Sequence, residues 1–145
     1  MVILINRKVR KGLRKERKYI MTENEISRIV FNCALKVHKA LGPGLLESAY
    51  EECLFYELKQ EGIQVIKQKP LPLIYNEVKL EIGYRVDLLV ENKVIIEIKS
   101  VETLNDIHLA QVLTYLKLSD CKLGMLINFN VTLIKNGIKR VVNNL

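Results

Sequence analysis

Two carboxylates and a lysine lie in neighbouring apolar segments of this chain, and together they have the composition of a metal-dependent catalytic site. Asp87 lies within Val86–Val90, and Glu97 and Lys99 lie at the end of Val94–Lys99. Charges inside an apolar strand are costly unless they are paired or bind a metal ion. Clustered carboxylates suit Mg²⁺ or Mn²⁺, which keep sites for water and a phosphate. The lysine is then placed to orient the attacking water or to offset charge in the transition state.

Strand geometry indicates which of these side chains meet. Side chains alternate between the faces of a strand, so Glu97 and Lys99 share one face. If residues 91–93 form a three-residue loop, Val90 lies opposite Val94 and Asp87 joins the Glu97 face. We therefore predict that the three charged groups converge in one cleft. The alternative is an exposed Glu–Lys pair, with Asp87 at the edge of a strand.

The elements that must position these residues begin with two helices. Thr22 and Glu25 have the spacing of a capping box, and apolar residues recur at helical spacing up to Val37. Gly42, Pro43 and Gly44 should end this helix. A second helix is expected from Leu45 to Glu61.

The rest of the sequence predicts strands and one more helix. Ile63–Tyr75 contains Pro70 and Pro72, which favour an edge strand or a bulge over a central strand. A meander should follow, then a third helix capped by Asn105 or Asp106 and reaching Leu118. Asn136-Gly137 is typical of a type I′ turn between two hairpin strands. The predicted strands are Val78–Ile82, Tyr84–Val90, Val94–Ser100, Lys122–Phe129, Val131–Lys135 and Ile138–Val142.

Three short motifs resemble those of a known superfamily. Asp87 followed by Glu97-Ile98-Lys99 resembles the D-x(n)-ExK signature of the PD-(D/E)xK nucleases, with Val86 in place of the proline. The segment Gly44–Tyr50 is similar to the motif of the GxxExxY family, which is assigned to that superfamily. Gln111 and Tyr115 resemble the QxxxY helix motif of its exonuclease-type branch. The resemblance covers roughly residues 22–140.

This resemblance implies an α/β fold, with a mixed central β-sheet flanked by α-helices, and roles for further residues. Glu47 would join Asp87 and Glu97 near the metal ion, although an acid in a first helical turn is also favoured by the helix dipole. Gln111 and Tyr115 would support the ligands or contact substrate, although Gln111 also fits a satisfied buried amide. Tyr50 would bond a carboxylate or simply pack in the core.

The net charge of +7 is concentrated at the N-terminus. Residues 1–20 contain eight Lys or Arg and one Glu, whereas residues 21–145 contain fifteen of each sign. A basic arm over residues 1–21 is predicted to hold nucleic acid by neutralising phosphates, beside a single domain at 22–145. Alternatively it is a solvated tail, or an extension before a start at Met21. The arm residues concerned are Arg7, Lys8, Arg10, Lys11, Arg14 and Lys15.

The composition of the chain indicates where the protein acts and what it binds. No apolar stretch is long enough to cross a membrane, and the first residues do not have the order of a secretory signal. Three dispersed cysteines favour reduced thiols in the cytoplasm. We expect a nuclease that uses Mg²⁺ (or Mn²⁺), with DNA favoured over RNA. The alternative is a non-catalytic module that keeps the fold and binds nucleic acid or protein. A homodimer is compatible with the sequence but is not indicated by it.

Overall fold

A mixed five-stranded sheet with helices on both faces organises residues 20–145, the part of the chain that the computed structural model describes. The helices are α1 (Glu23–Leu41), α2 (Glu47–Gln60) and α3 (Asp106–Ser119). The strands are β1 (Val65–Tyr75), β2 (Val78–Val90), β3 (Val94–Lys99), β4 (Leu123–Asn128) and β5 (Ile138–Val142). They lie in the order β1-β2-β3-β4-β5, and only the β3–β4 pair is parallel among these described strands. The predicted α/β fold class is confirmed.

The predicted limits of α1 are confirmed by its caps. The Thr22 side chain accepts a hydrogen bond from the backbone N–H of Glu25, which satisfies one of the free donors of the first turn. The helix ends at Gly42, whose φ of 68° is in a region that glycine adopts without strain. Glu47, at the start of α2, follows only a short turn later.

Side-chain alternation along β3 divides the core into two layers. Val94, Ile96 and Ile98 pack with α1 and α2 on one face of the sheet. Ile95 packs with α3 on the other face. Because parallel strands need a crossover connection, α3 carries the chain from β3 to β4 and covers the Ile95 face on the way. Glu97 has the parity of Ile95, so its side chain starts from the α3 side.

The edge position predicted for the proline-containing strand is confirmed, because β1 pairs only with β2 in the described sheet. The two strands predicted over 78–90 form one continuous β2. Gly83 lies inside it with a φ of 84°, where a residue with a side chain would be strained. The β1–β2 hairpin extends past the core, and its outer residues are largely exposed.

The predicted hairpin over 131–142 is wrong. Ile134–Gly137 form a short 3₁₀ turn, and β5 pairs antiparallel with β4 instead. Neither Asn136 nor Gly137 has the positive φ that a type I′ turn needs. Gly137 is required for another reason, since an added Cβ would collide with the backbone oxygen of Asn128.

In the described residues, no helix combines the length and the apolar character required to cross a bilayer.

Candidate functional site

The strands β2 and β3 separate beside the predicted charged residues. Their regular pairing joins Val90 to Val94 and continues to the pair of Leu88 and Ile96, so the predicted loop register is confirmed. Beyond that pair, hydrogen bonds to side chains replace the backbone hydrogen bonds between the strands. We call this region, which consists of Asp87, Glu97 and Ile98, the fork. The Asp87 N–H donates to Glu97 Oε1 at 3.0 Å, and the Ile98 N–H donates to Asp87 Oδ2 at 2.8 Å. Each carboxyl group therefore accepts a hydrogen bond from the backbone of the other strand, which holds Asp87 and Glu97 side by side.

The Glu97 carboxyl is buried beside another acid. Only 4% of the residue is exposed. Burial, followed by the negative charge of Asp87, raises the pKa of Glu97 from 4.5 to about 8. The Lys99 ammonium is close enough to act in the opposite direction and lower that pKa. Without a cation, the raised pKa favours the protonated form of Glu97 at neutral pH.

A further acid, Glu51 of α2, reaches the fork from the opposite layer and is not among the residues predicted from the sequence. Gln68 Nε2 donates to Glu51 Oε1 at 2.7 Å and to Asp87 Oδ1 at 3.3 Å. Burial and the charge of Asp87 raise the pKa of Glu51 to about 7. Spacing contained the signal, since Glu51 is four residues after Glu47 and so lies on the same helix face.

The side chain of Glu47, at the start of α2, lies beside the end of β3. Its carboxylate accepts a hydrogen bond of 3.1 Å from the backbone N–H of Ser100. The Ser100 hydroxyl donates in turn to the Leu45 carbonyl at 2.7 Å. These two bonds attach the beginning of α2 to the residue that follows Lys99.

Tyr50 organises the turn before α2. The side chain is fully buried and stacks on Phe129. Its hydroxyl donates to the Gly42 carbonyl at 2.6 Å and accepts from the Leu45 N–H at 3.1 Å. These contacts favour the packing interpretation of Tyr50, because its polar atom bonds the backbone of the turn.

Helix α3 contributes a pair of polar side chains to the same side as Glu97. Gln111 Nε2 donates to the Tyr115 hydroxyl at 2.9 Å, and the Tyr115 ring lies 6.0 Å from that of Tyr84. Burial, followed by the charge of Glu97, raises the pKa of Tyr115. Tyr115 is thus close to the two acids, whereas Gln111 is exposed and is not the buried amide considered from the sequence.

The donor set fits a hard divalent cation. Oxygen ligands from carboxylates are the kind that Mg²⁺ takes, and it is commonly held by one or two carboxylates while keeping several waters. In residues 20–145, no three His, Cys, Asp or Glu side chains are gathered closely enough to form a complete metal-binding group. Asp87 and Glu97 supply a pair of acids, with Glu51 hydrogen-bonded to Asp87 through Gln68. A cation would relieve the repulsion that raises these pKa values.

The basic arm residues from Arg7 to Lys15 lie outside the described residues.

Comparison with known families gives a match over most of the chain. The model described as the PD-(D/E)XK nuclease superfamily matches residues 24–141. That range contains the fork, Glu51 and the Gln111–Tyr115 pair. Neither the curated proteins nor the solved structures gave a match to the chain.

Proposed function

Because this chain belongs to the PD-(D/E)XK nuclease superfamily, we propose that it is a metal-dependent nuclease that hydrolyses phosphodiester bonds, with DNA favoured over RNA. The observation that carries the proposal is the fork, where Asp87 and Glu97 replace ladder bonds between β2 and β3. A sheet that needed only stability would continue its backbone ladder here and would not place a buried acid, Glu97, beside a second acid, Asp87. Within the superfamily, Gly44, Glu47 and Tyr50 favour the GxxExxY group.

We assign Asp87 and Glu97 as ligands of Mg²⁺ (or Mn²⁺). The bound cation would lower the pKa of a water molecule and offset the negative charge that builds on the phosphate. Lys99, which shares the Glu97 face, would orient that water and stabilise the same charge. The ammonium has three donors and no lone pair, so it acts on oxygen atoms and never as a ligand.

The acids of α2 would extend the site. Glu51 is the stronger candidate for an accessory carboxylate, because Gln68 connects it to Asp87. Glu47 would act from the end of β3, where its bond to Ser100 fixes the start of α2. Tyr115 and Gln111 would support the carboxylates or contact the substrate from the α3 side.

The test separates metal binding from chemistry. The Asp87→Asn variant should lose both metal binding and cleavage, since a hard cation prefers a carboxylate to an amide. At about 4 Å and an effective dielectric of about 20, one charge pair is worth roughly 4 kcal/mol, so the loss should exceed tenfold. Lys99→Ala should lose cleavage but keep, or slightly strengthen, metal binding. Calorimetric titration of Mn²⁺ is combined with cleavage assays on single- and double-stranded DNA and RNA, with Mg²⁺, Mn²⁺ or EDTA.

The matched control is Asp106→Asn, which removes the same charge from an exposed position at the start of α3. It should bind Mn²⁺ and cleave like the parent. Asp87→Asn with parental metal binding or parental cleavage would refute the site. Metal binding without cleavage of any substrate by the parent would favour the non-catalytic module.

The accessory role of Glu51 has its own comparison. Glu51→Gln should weaken Mn²⁺ binding, because it removes a charge connected to Asp87. Glu52→Gln alters the next residue, which is exposed and paired with Lys67, and should not weaken it. Equal effects from the two variants would mean that Glu51 acts only through the general charge of α2.

Two further proposals rest on the sequence. We propose that the chain acts in the cytoplasm, in keeping with its three free cysteines. We also propose that the basic residues 1–20 increase the affinity for nucleic acid without taking part in chemistry.

A further inference from the structure

A cavity lies away from the fork, between the first half of α1 and the β4–β5 edge of the sheet. Its volume is about 480 Å³. Met125 in its wall packs in the α1–α2 layer, whereas Glu97 starts from the α3 side. β5 is two strands away from β3, which is roughly 10 Å across the sheet. The cavity is lined by Asn24, Ser27, Arg28, Phe31, Met125, Ile138 and Arg140.

The polar part of this cavity is cationic. Arg28 and Arg140 line it, and none of its described lining residues is acidic. Arg140 Nη2 donates to Asn24 Oδ1 at 2.6 Å, which fixes the guanidinium and leaves its other donors available. Within residues 20–145, Arg28 forms no ion pair with a carboxylate. Both guanidinium groups are therefore available to an anionic ligand.

Ser27 provides an independent sign of a ligand. It lines the cavity and only 9% of the residue is exposed. Its hydroxyl has no hydrogen-bond partner among the residues that the structure describes. A buried hydroxyl without a partner is destabilising. A ligand with an acceptor oxygen would satisfy it at the same place where the arginines attract negative charge.

We propose that this cavity binds a phosphate-bearing nucleotide, either free or as part of a strand. Guanidinium groups bind phosphate through paired charge-assisted hydrogen bonds, and the Ser27 hydroxyl would donate to a further phosphate oxygen. Phe31, Met125 and Ile138 would pack on the base and sugar, since every base offers a face for stacking. The volume lies in the range of ligand pockets.

The proposed occupant is negatively charged, because Arg28 and Arg140 line the cavity and none of its described lining residues is acidic. Residues 1–20 of the basic arm contain eight Lys or Arg and a single acid. The same arm would raise the local concentration of a negatively charged ligand. The proposal does not depend on the fork, because no residue of this cavity belongs to it.

The experiment follows backbone amide signals of the full chain by NMR in EDTA, so that no cation supports binding at the fork. The probes are adenosine 5′-monophosphate, inorganic phosphate, adenosine and a short single-stranded oligodeoxynucleotide. Saturable shifts at Asn24, Ser27 and Arg28 are expected with the phosphate-bearing probes and not with adenosine. Shifts with the oligonucleotide would identify a strand as the source of the phosphate, and shifts with the mononucleotide alone would identify a free nucleotide.

Three variants complete the test. Arg28→Ala should weaken mononucleotide binding about tenfold, as expected for losing a charge-assisted bond. The control, Lys39→Ala, removes one positive charge from an exposed position of the same helix and should leave binding within about twofold. Ser27→Ala should weaken binding without lowering the thermal midpoint of the free protein, because it deletes an unpartnered hydroxyl.

The proposal is overturned if millimolar mononucleotide and phosphate leave the three amide signals unchanged. It is equally overturned if adenosine binds as well as its monophosphate, or if Lys39→Ala weakens binding as much as Arg28→Ala. None of these outcomes bears on the nuclease site, whose test needs a divalent cation and Asp87.

Discussion

Replacing Glu97 by glutamine should change how the stability of the metal-free protein depends on pH. The pKa of this buried carboxyl is raised from 4.5 to about 8, so between these values the folded state keeps a proton that the unfolded chain releases. The contribution of Glu97 to the free energy of unfolding is therefore fully present below pH 4.5 and is lost as the pH rises towards 8. Each pKa unit corresponds to about 1.4 kcal/mol, which makes the loss between pH 5 and pH 9 about 4 kcal/mol.

Glu97→Gln removes this titration but keeps the shape and the acceptor that the Asp87 N–H needs. The variant should be the more stable protein above pH 7, by a margin that grows up to pH 9. Some slope should remain, because Glu51, with a pKa of about 7, still titrates in the same direction.

The assay is urea unfolding followed by circular dichroism in EDTA, at several pH values from 5 to 9, for the parent and Glu97→Gln. Added Mg²⁺ should stabilise the parent at pH 8 and should have little effect on the variant, since a ligand stabilises only the state that binds it. Parallel stability curves for the two proteins would refute the reasoning, because they would mean that Glu97 has the same pKa folded and unfolded.

The remaining predictions concern the arm, the turn before α2 and the close packing of Gly137 against the end of β4. Deleting residues 1–20 should weaken nucleic-acid binding and flatten its salt dependence, by up to about 0.9 per lost phosphate contact, with cleavage per bound complex retained; an unchanged slope would make the arm a spacer. Tyr50→Phe should cost about 1–3 kcal/mol in urea unfolding, because the Gly42 carbonyl loses its donor, and an unchanged midpoint would contradict this. Gly137→Ala should cost about 1–3 kcal/mol through the collision with the Asn128 oxygen, and parental stability would show that the turn yields.

Rules that depend only on residues close in sequence were sufficient to predict the part of the site that lies on the adjacent strands β2 and β3. Strand alternation and a three-residue loop fixed the register of Val90 and Val94, and that register places Asp87 beside Glu97. Both rules need only sequence separation and the geometry of a tight connection. The same is true of α1, whose limits are set by a side-chain cap and a glycine.

Contacts between distant segments were beyond such rules. Asn136-Gly137 has a strong local preference for a hairpin turn, but β4 needed an antiparallel partner, and pairing with β5 prevailed. Glu51 was missed because its importance depends on Gln68, whose backbone at a φ of 53° places the amide between two acids. Spacing places Glu51 on the Glu47 face of α2, but it does not show the connection through Gln68 to Asp87 or the pairing of β4 with β5.

The fork uses the same two carboxyl groups for joining the strands and for the proposed binding of a cation. One carboxyl oxygen of Asp87 and one of Glu97 accept backbone N–H groups, which joins β2 to β3 where their ladder stops. Each carboxyl group has a second oxygen, so a cation can be bound without breaking the connection between the strands. Substitution by an amide preserves the accepting oxygen, whereas alanine would leave an N–H group of the strand pair without its acceptor. Amide variants therefore report on the chemistry of the site, and alanine variants at these two positions would mix it with the stability of the sheet.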